Sequence, residues 1–194
     1  MTLTPSTMQK LGMTAPDFNL ADPAGERYSL DEFLIRKGLL VIFMCNHCPY
    51  VRHIREKLVK KIRDYQEQGI TVVAINSNDF DAYPDDNPKN MTQDGQKYGY
   101  TFAYLVDEQQ QVAKDYGAAC TPDFFLFDAK RKLVYRGQFD SARPGNSEPV
   151  TGADLSAAIE RMVAGKPVSP KQRPSMGCNI KWKPGNEPDY FASR

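Results

Sequence analysis

Charge imbalance is missing from this chain. Its 25 basic residues face 24 acidic ones, for a formal net charge of +1. Nothing global therefore points toward nucleic acid or an acidic membrane surface. Long apolar runs are missing too. No window approaches the ~20 residues of a membrane span, and the opening MTLTPSTMQKLG holds no apolar stretch of signal-peptide length. The expectation is a soluble, cytoplasmic protein with no nucleic-acid or membrane partner. Histidine occurs twice and tryptophan once, and four cysteines in 194 residues are too few for a disulfide scaffold. In a reducing compartment, paired cysteines are more often catalytic or metal-binding than structural.

What is present reads as one domain with a sizeable core. Residues 17–30 suggest two short strands around the turn DPAG, and Ser29 is a candidate N-cap for a short helix, SLDEFLIRKG. LLVIFM (39–44) and ITVVAIN (70–76) are continuous apolar runs, as expected of strands buried on both faces. Between them Val51, Ile54, Leu58, Ile62 and Tyr65 recur at spacings of three and four, which predicts a long helix over 48–68 ended by Gly69. Strand, helix, strand with apolar strands implies a parallel βαβ unit. The Lys/Arg cluster at 52–63 reads as a solvated helix face.

Further on, Asn87 and Pro88 start a helix, FAYLV is a short strand, and Asp107 caps EQQQVAKDY before Gly117. DFFLFD and KLVYRGQF form a hairpin. Thr151 and Asp154 suggest a capping box for a last helix with a stripe of Leu155, Ala158, Ile159, Met162 and Val163. The domain is drawn at 1–165. The tail, 166–194, carries five of the 14 prolines, yet also Trp182, Tyr190 and Phe191. Those aromatics predict a tail that wraps the same domain.

The chemistry concentrates in FMCNHCPYV, residues 43–51. Cys45 ends a buried strand, Cys48 opens the long helix, and Pro49 is tolerated in its first turn. Helical positions three apart bring side chains to about 5–6 Å, a separation a disulfide can close. The helix N-terminus supplies unpaired N–H groups and partial positive charge, both of which stabilise a thiolate. His47 can add a charge or a hydrogen bond. Residues 77–100, polar and aromatic, are expected to shape a binding groove.

These motifs resemble the thioredoxin superfamily, and within it the alkyl hydroperoxide reductase/thiol-specific antioxidant (redoxin) branch. That branch shares Gly12, APDFNL, Asp22 and Gly25, the CxxC strand-to-helix turn, and CTPDFFLFD. A tighter resemblance, to peroxiredoxin-like proteins, adds SND…YP, YGAACTPDFFLFD and SMGCNIKWKPG, so the likeness covers about 12–191. It implies a thioredoxin-like α/β fold: a central mixed sheet flanked by helices, an N-terminal hairpin extension and an extended C-terminal tail. It also implies that Cys45 attacks, Cys48 resolves, and Pro122 is the cis-proline that leaves the Thr121 backbone open to an extended thiol substrate. Three departures from the patterns stand out. Leu39 stands where thioredoxins keep a buried acid, and Val51 where cytochrome-maturation relatives keep a glutamate. Cys48-Pro49 matches the peroxidatic cysteine and its proline, but Cys45 replaces the threonine and Thr121-Pro122 the arginine.

The reading that follows is a thiol–disulfide oxidoreductase with no cofactor, acting on a protein or small-molecule disulfide or thiol and served by a thiol reductant system. His47 between the cysteines is shared with the strong oxidant DsbA, so the couple is expected to be less reducing than thioredoxin's, about −270 mV. Cys120 and Cys178 are candidate relay thiols. The alternatives are a thiol-dependent peroxidase with antioxidant activity, a copper or zinc protein using Cys45, His47, Cys48 and His53, and a redox-inert interaction domain.

Overall fold

The computed structural model describes residues 3–192. In chain order these are β1 (Leu3–Pro5), β2 (Asn19–Ala21), β3 (Arg27–Ser29), β4 (Gly38–Phe43), α1 (Pro49–Glu67), β5 (Ile70–Asn76), α2 (Pro88–Tyr98), β6 (Ala103–Val106), α3 (Gln111–Tyr116), β7 (Cys120–Thr121), β8 (Asp123–Asp128), β9 (Leu133–Gly137), α4 (Ala153–Val163), β10 (Met176–Asn179) and α5 (Asp189–Ala192). The main sheet runs β3-β2-β6-β5-β4-β8-β9. β4 and β5 are parallel, as are β5 and β6, while β8 runs antiparallel to β4. The expected mixed sheet and N-terminal hairpin are therefore both present.

The continuous apolar run of β4 has a plain cause: it feeds two cores. Leu40 and Ile42 face α1, together with Ile54, Leu58, Leu126 and Ile159 of one buried cluster. Leu39, Val41 and Phe43 face the other side, with Ile75, Tyr116 and Trp182. At 0% exposure along its whole apolar length, β4 is the best-covered strand, and the redox turn hangs from its C-terminal end.

Several local expectations shift. The helix after Ser29 is a single 3-10 turn, Leu30–Glu32; the Ser29–Glu32 capping box forms, but the backbone turns extended at Phe33. A segment this short does not repay helix nucleation. α3 starts three residues late because Gln110 is left-handed, although Asp107 still accepts from the Ala113 amide at 2.9 Å. No capping box starts α4. Gly152 is its N-cap, left-handed and without a side-chain cap, and the Thr151 and Gly152 amides donate to Asp140 at 2.7 and 2.6 Å. Asp154 instead accepts from Gln138.

β10 forms a second sheet, order β1-β10-β7, with Leu3 opposite Cys178 on one side and Thr121 opposite Cys178 on the other. Past it, the Lys181 amide donates to Asn78 at 2.9 Å and the Gln110 side chain donates to the Lys181 carbonyl at 2.8 Å. Residues 193 and 194 of the expected tail lie outside the described residues. Among the described residues, no helix is long and apolar enough to cross a membrane.

Candidate active site

Cys45 follows the end of β4, and Cys48 is the residue immediately before α1, with Pro49 in the first turn. Thr121-Pro122, joined by a cis peptide bond, faces them: the Thr121 hydroxyl lies 3.5 Å from Cys45 Sγ and its carbonyl 3.1 Å from Cys48 Sγ. All four cysteines are buried thiols. Cys178 comes to the same place from β10 and hydrogen-bonds Cys48. Cys120 does not. Side chains alternate along a strand, so Cys120 points away from the face that Thr121 presents to Cys45, and its sulfur lies 3.6 Å from the Pro122 carbonyl.

Burial and hydrogen bonding act in opposite directions on the two cysteines of the turn. Hydrogen bonds from Cys178 and then from Cys45 hold the Cys48 thiol far below its ordinary range, against burial; the Thr121 hydroxyl and the Val51 amide add smaller contributions. The amide is not in capping geometry. The Thr121 carbonyl, 3.1 Å from Cys48 Sγ, accepts only from the protonated thiol and so acts against this lowering. Burial pushes Cys45 well up, reinforced by its bond to Cys48. Cys178 is raised by its bond to Cys48 and then by burial. Of the three thiols, Cys48 is the one at the helix N-terminus, where the unpaired N–H groups and the dipole favour a thiolate.

The turn between the cysteines is held by a residue the motif did not point to. Asp86, fully buried, accepts from the backbone amides of Asn46 (2.8 Å) and His47 (3.1 Å) through one oxygen. Its other oxygen meets His47 Nδ1 at 2.6 Å and the Asn78 side-chain amide at 2.7 Å. Burial alone would raise Asp86, but the bonds from His47 and Asn78 bring it down. His47 is raised chiefly by its bond to Asp86, against burial, and its ring stacks on Tyr83 at 5.8 Å. The 77–100 segment therefore serves as a buttress for the CxxC turn. Asp86 was hinted at only by the acid-rich SND…YPDDN stretch.

Arg55 also departs from the solvated-face reading. It is buried, donates to the Asn46 carbonyl at 2.8 Å and pairs with Asp94 at 2.9 Å. His53 lies on the exposed side of α1, so the four-ligand metal set using both histidines does not assemble. The ligand atoms that do gather, within 4.8 Å of one another, are those of Cys45, His47 and Asp86. The open Thr121 edge is likewise corrected: β10 occupies it.

The chain is similar to known proteins in both sequence and fold. Residues 11–136 match the AhpC/TSA family. The chain belongs to that family. It is 30% identical to "Thiol-disulfide oxidoreductase ResA" of Geobacillus thermodenitrificans over 131 residues, covering 67% of this chain and 70% of that protein. The crystal structure of a hypothetical protein, SMc02350, from Sinorhizobium meliloti 1021 superposes with TM-score 0.92 at 53% identity, covering 94% of this chain and 100% of that one. An uncharacterized conserved protein from Geobacillus kaustophilus gives 0.91 at 47%, covering 95% and 98%. The fold is thioredoxin-like.

Proposed function

We propose that this AhpC/TSA-family protein is a thiol–disulfide oxidoreductase whose working couple is Cys45 and Cys48. The observation that carries it is the placing of Cys45 and Cys48 at the start of α1, with the cis Thr121-Pro122 loop 3.5 and 3.1 Å from their sulfurs. The Cys48 thiolate attacks a substrate disulfide, forming a mixed disulfide and releasing one substrate thiolate. Cys45 then attacks Cys48 Sγ, closes the Cys45–Cys48 bond and expels the second substrate sulfur, which takes up the Cys45 proton. The substrate is a protein or small-molecule disulfide, and a thiol reductant regenerates the dithiol. The name of the Geobacillus thermodenitrificans relative supports the same class of reaction.

Titration of the Cys178→Ser variant in glutathione buffers, with alkylated peptides read by mass spectrometry, tests this. The expected result is a reversible two-electron couple joining Cys45 to Cys48, with a potential above about −270 mV, because a stabilised thiolate favours the reduced form. Full alkylation of Cys48 at every potential would overturn it.

A second reading has one observation in its favour. Cys48, at the start of α1, is followed by Pro49, the position that matches a peroxidatic cysteine. The facing loop supplies Thr121 where an arginine would polarise the O–O bond. Peroxide consumption with a thiol reductant decides it: turnover through a sulfenic acid on Cys48 would put the antioxidant peroxidase ahead of the oxidoreductase.

A further inference from the structure

β10 lies along the backbone edge where an extended thiol substrate would add as a strand. Cys178 stands directly opposite Thr121 in antiparallel register. Residues opposite one another in such a pair project to the same face. Because the Thr121 hydroxyl lies 3.5 Å from Cys45 Sγ, Cys178 is aimed at the redox turn. There it joins one buried cluster with Cys45 and Cys48 and hydrogen-bonds Cys48. Gly177 permits the approach, since a Cβ at that position would overlap the Thr121 carbonyl. The strand is fixed at both ends. The Ser6 amide donates to the Ser175 carbonyl at 2.9 Å, and the Ile180 amide donates to the Ala119 carbonyl at 3.1 Å.

We infer that β10 is a tethered substrate mimic and that Cys178 is a third redox thiol, exchanging with the couple through Cys48. This rests on the oxidoreductase reading. In the oxidised protein, Cys178 loses its proton and attacks Cys48 Sγ. The Cys48–Cys178 bond forms, and the Cys45–Cys48 bond breaks. Cys45 leaves with the electron pair and takes up the proton. One disulfide is present before and after, so no outside oxidant is consumed. The same attack releases a substrate sulfur held on Cys48.

The test compares full-length Cys45→Ser with Cys45→Ser/Cys178→Ser, each treated with 5,5′-dithiobis(2-nitrobenzoate) and analysed by mass spectrometry under non-reducing conditions. In the single variant, two thionitrobenzoates are expected per Cys48 that reacts, ending in a Cys48–Cys178 disulfide. In the double variant only one is expected, with the adduct retained on Cys48. If the single variant retains the adduct as fully as the double, Cys178 is not a redox thiol and the oxidoreductase reading stands. If Cys48 reacts in neither variant, both readings fall. Cys45→Ala versions with and without Cys178→Ser repeat the comparison should serine disturb folding. Wild-type protein carrying one disulfide should also yield some Cys48–Cys178 peptide; its complete absence there and in both single variants counts against the inference.

Discussion

Asp86 organises the redox turn through four groups: two backbone amides, one imidazole and one side-chain amide. Asp86→Asn keeps the shape but turns an N–H toward the Asn78 donor and removes the charge opposite His47. Breaking a buried pair in this way is expected to cost about 3–5 kcal/mol, read as a lower urea midpoint, and to loosen the CxxC turn toward faster alkylation. The pair also sets a pH window. His47 is raised, so its contribution is complete below about 6.5 and fades as pH climbs through the raised folded value. Asp86 is lowered, so its contribution is complete above about 3.9 and fades as pH falls through the depressed value. Stability from this pair should plateau between about 4 and 6.5, and in His47→Gln the decline above that range should flatten. The two cysteines were legible in the sequence because their spacing is itself the chemistry. Asp86 was not: it lies far along the chain, and two of its partners are backbone N–H groups that no side-chain pattern reports.

At the scale of elements, legibility followed periodicity. β4, α1 and β5 carry long apolar patterns and fall within a residue or two of where those patterns place them. The α4 start was misread because Thr151 and Asp154 fit a capping box in sequence while Asp140 outcompetes them for the backbone amides. β1 and β10 were invisible. They have three and four residues, include Pro5 and Gly177, and exist as strands only because each finds an edge. That dependence makes Gly177 a sensitive point. Gly177→Ala should push β10 off Thr121 while the main sheet persists. The expected outcome is native far-UV circular dichroism with alkylation of Cys48 accelerated at least tenfold. Unchanged protection would show that β10 does not cover the thiols.

For the molecule as a whole, the thiol site is a junction of α1, the β7 edge and β10, and its charge state is a property of all three. If the reduced protein holds one thiolate on Cys48, reduction takes up one proton per two electrons. The reduction potential should then fall by about 30 mV per pH unit between pH 6 and 8, half the ~59 mV expected if every thiol were protonated. A slope near ~59 mV would place the proton back on Cys48. The family likeness and the strand order carried the general architecture into the sequence reading. The closing of the redox turn by the tail did not come with them, because nothing local to 176–179 says which edge it will meet.

The covering strand has a further consequence, one of timing. The ribosome delivers Met176 128 residues after Cys48 (176 − 48), about 6–25 s later at ~5–20 residues per second. For that interval the βαβ core can form while its dithiol has no roof. A newly made copy is therefore born with the thiol pair uncovered and exposed to whatever oxidant or disulfide the surroundings hold. A brief alkylation pulse should label Cys48 on ribosome-bound nascent chains and spare it in the released, folded protein.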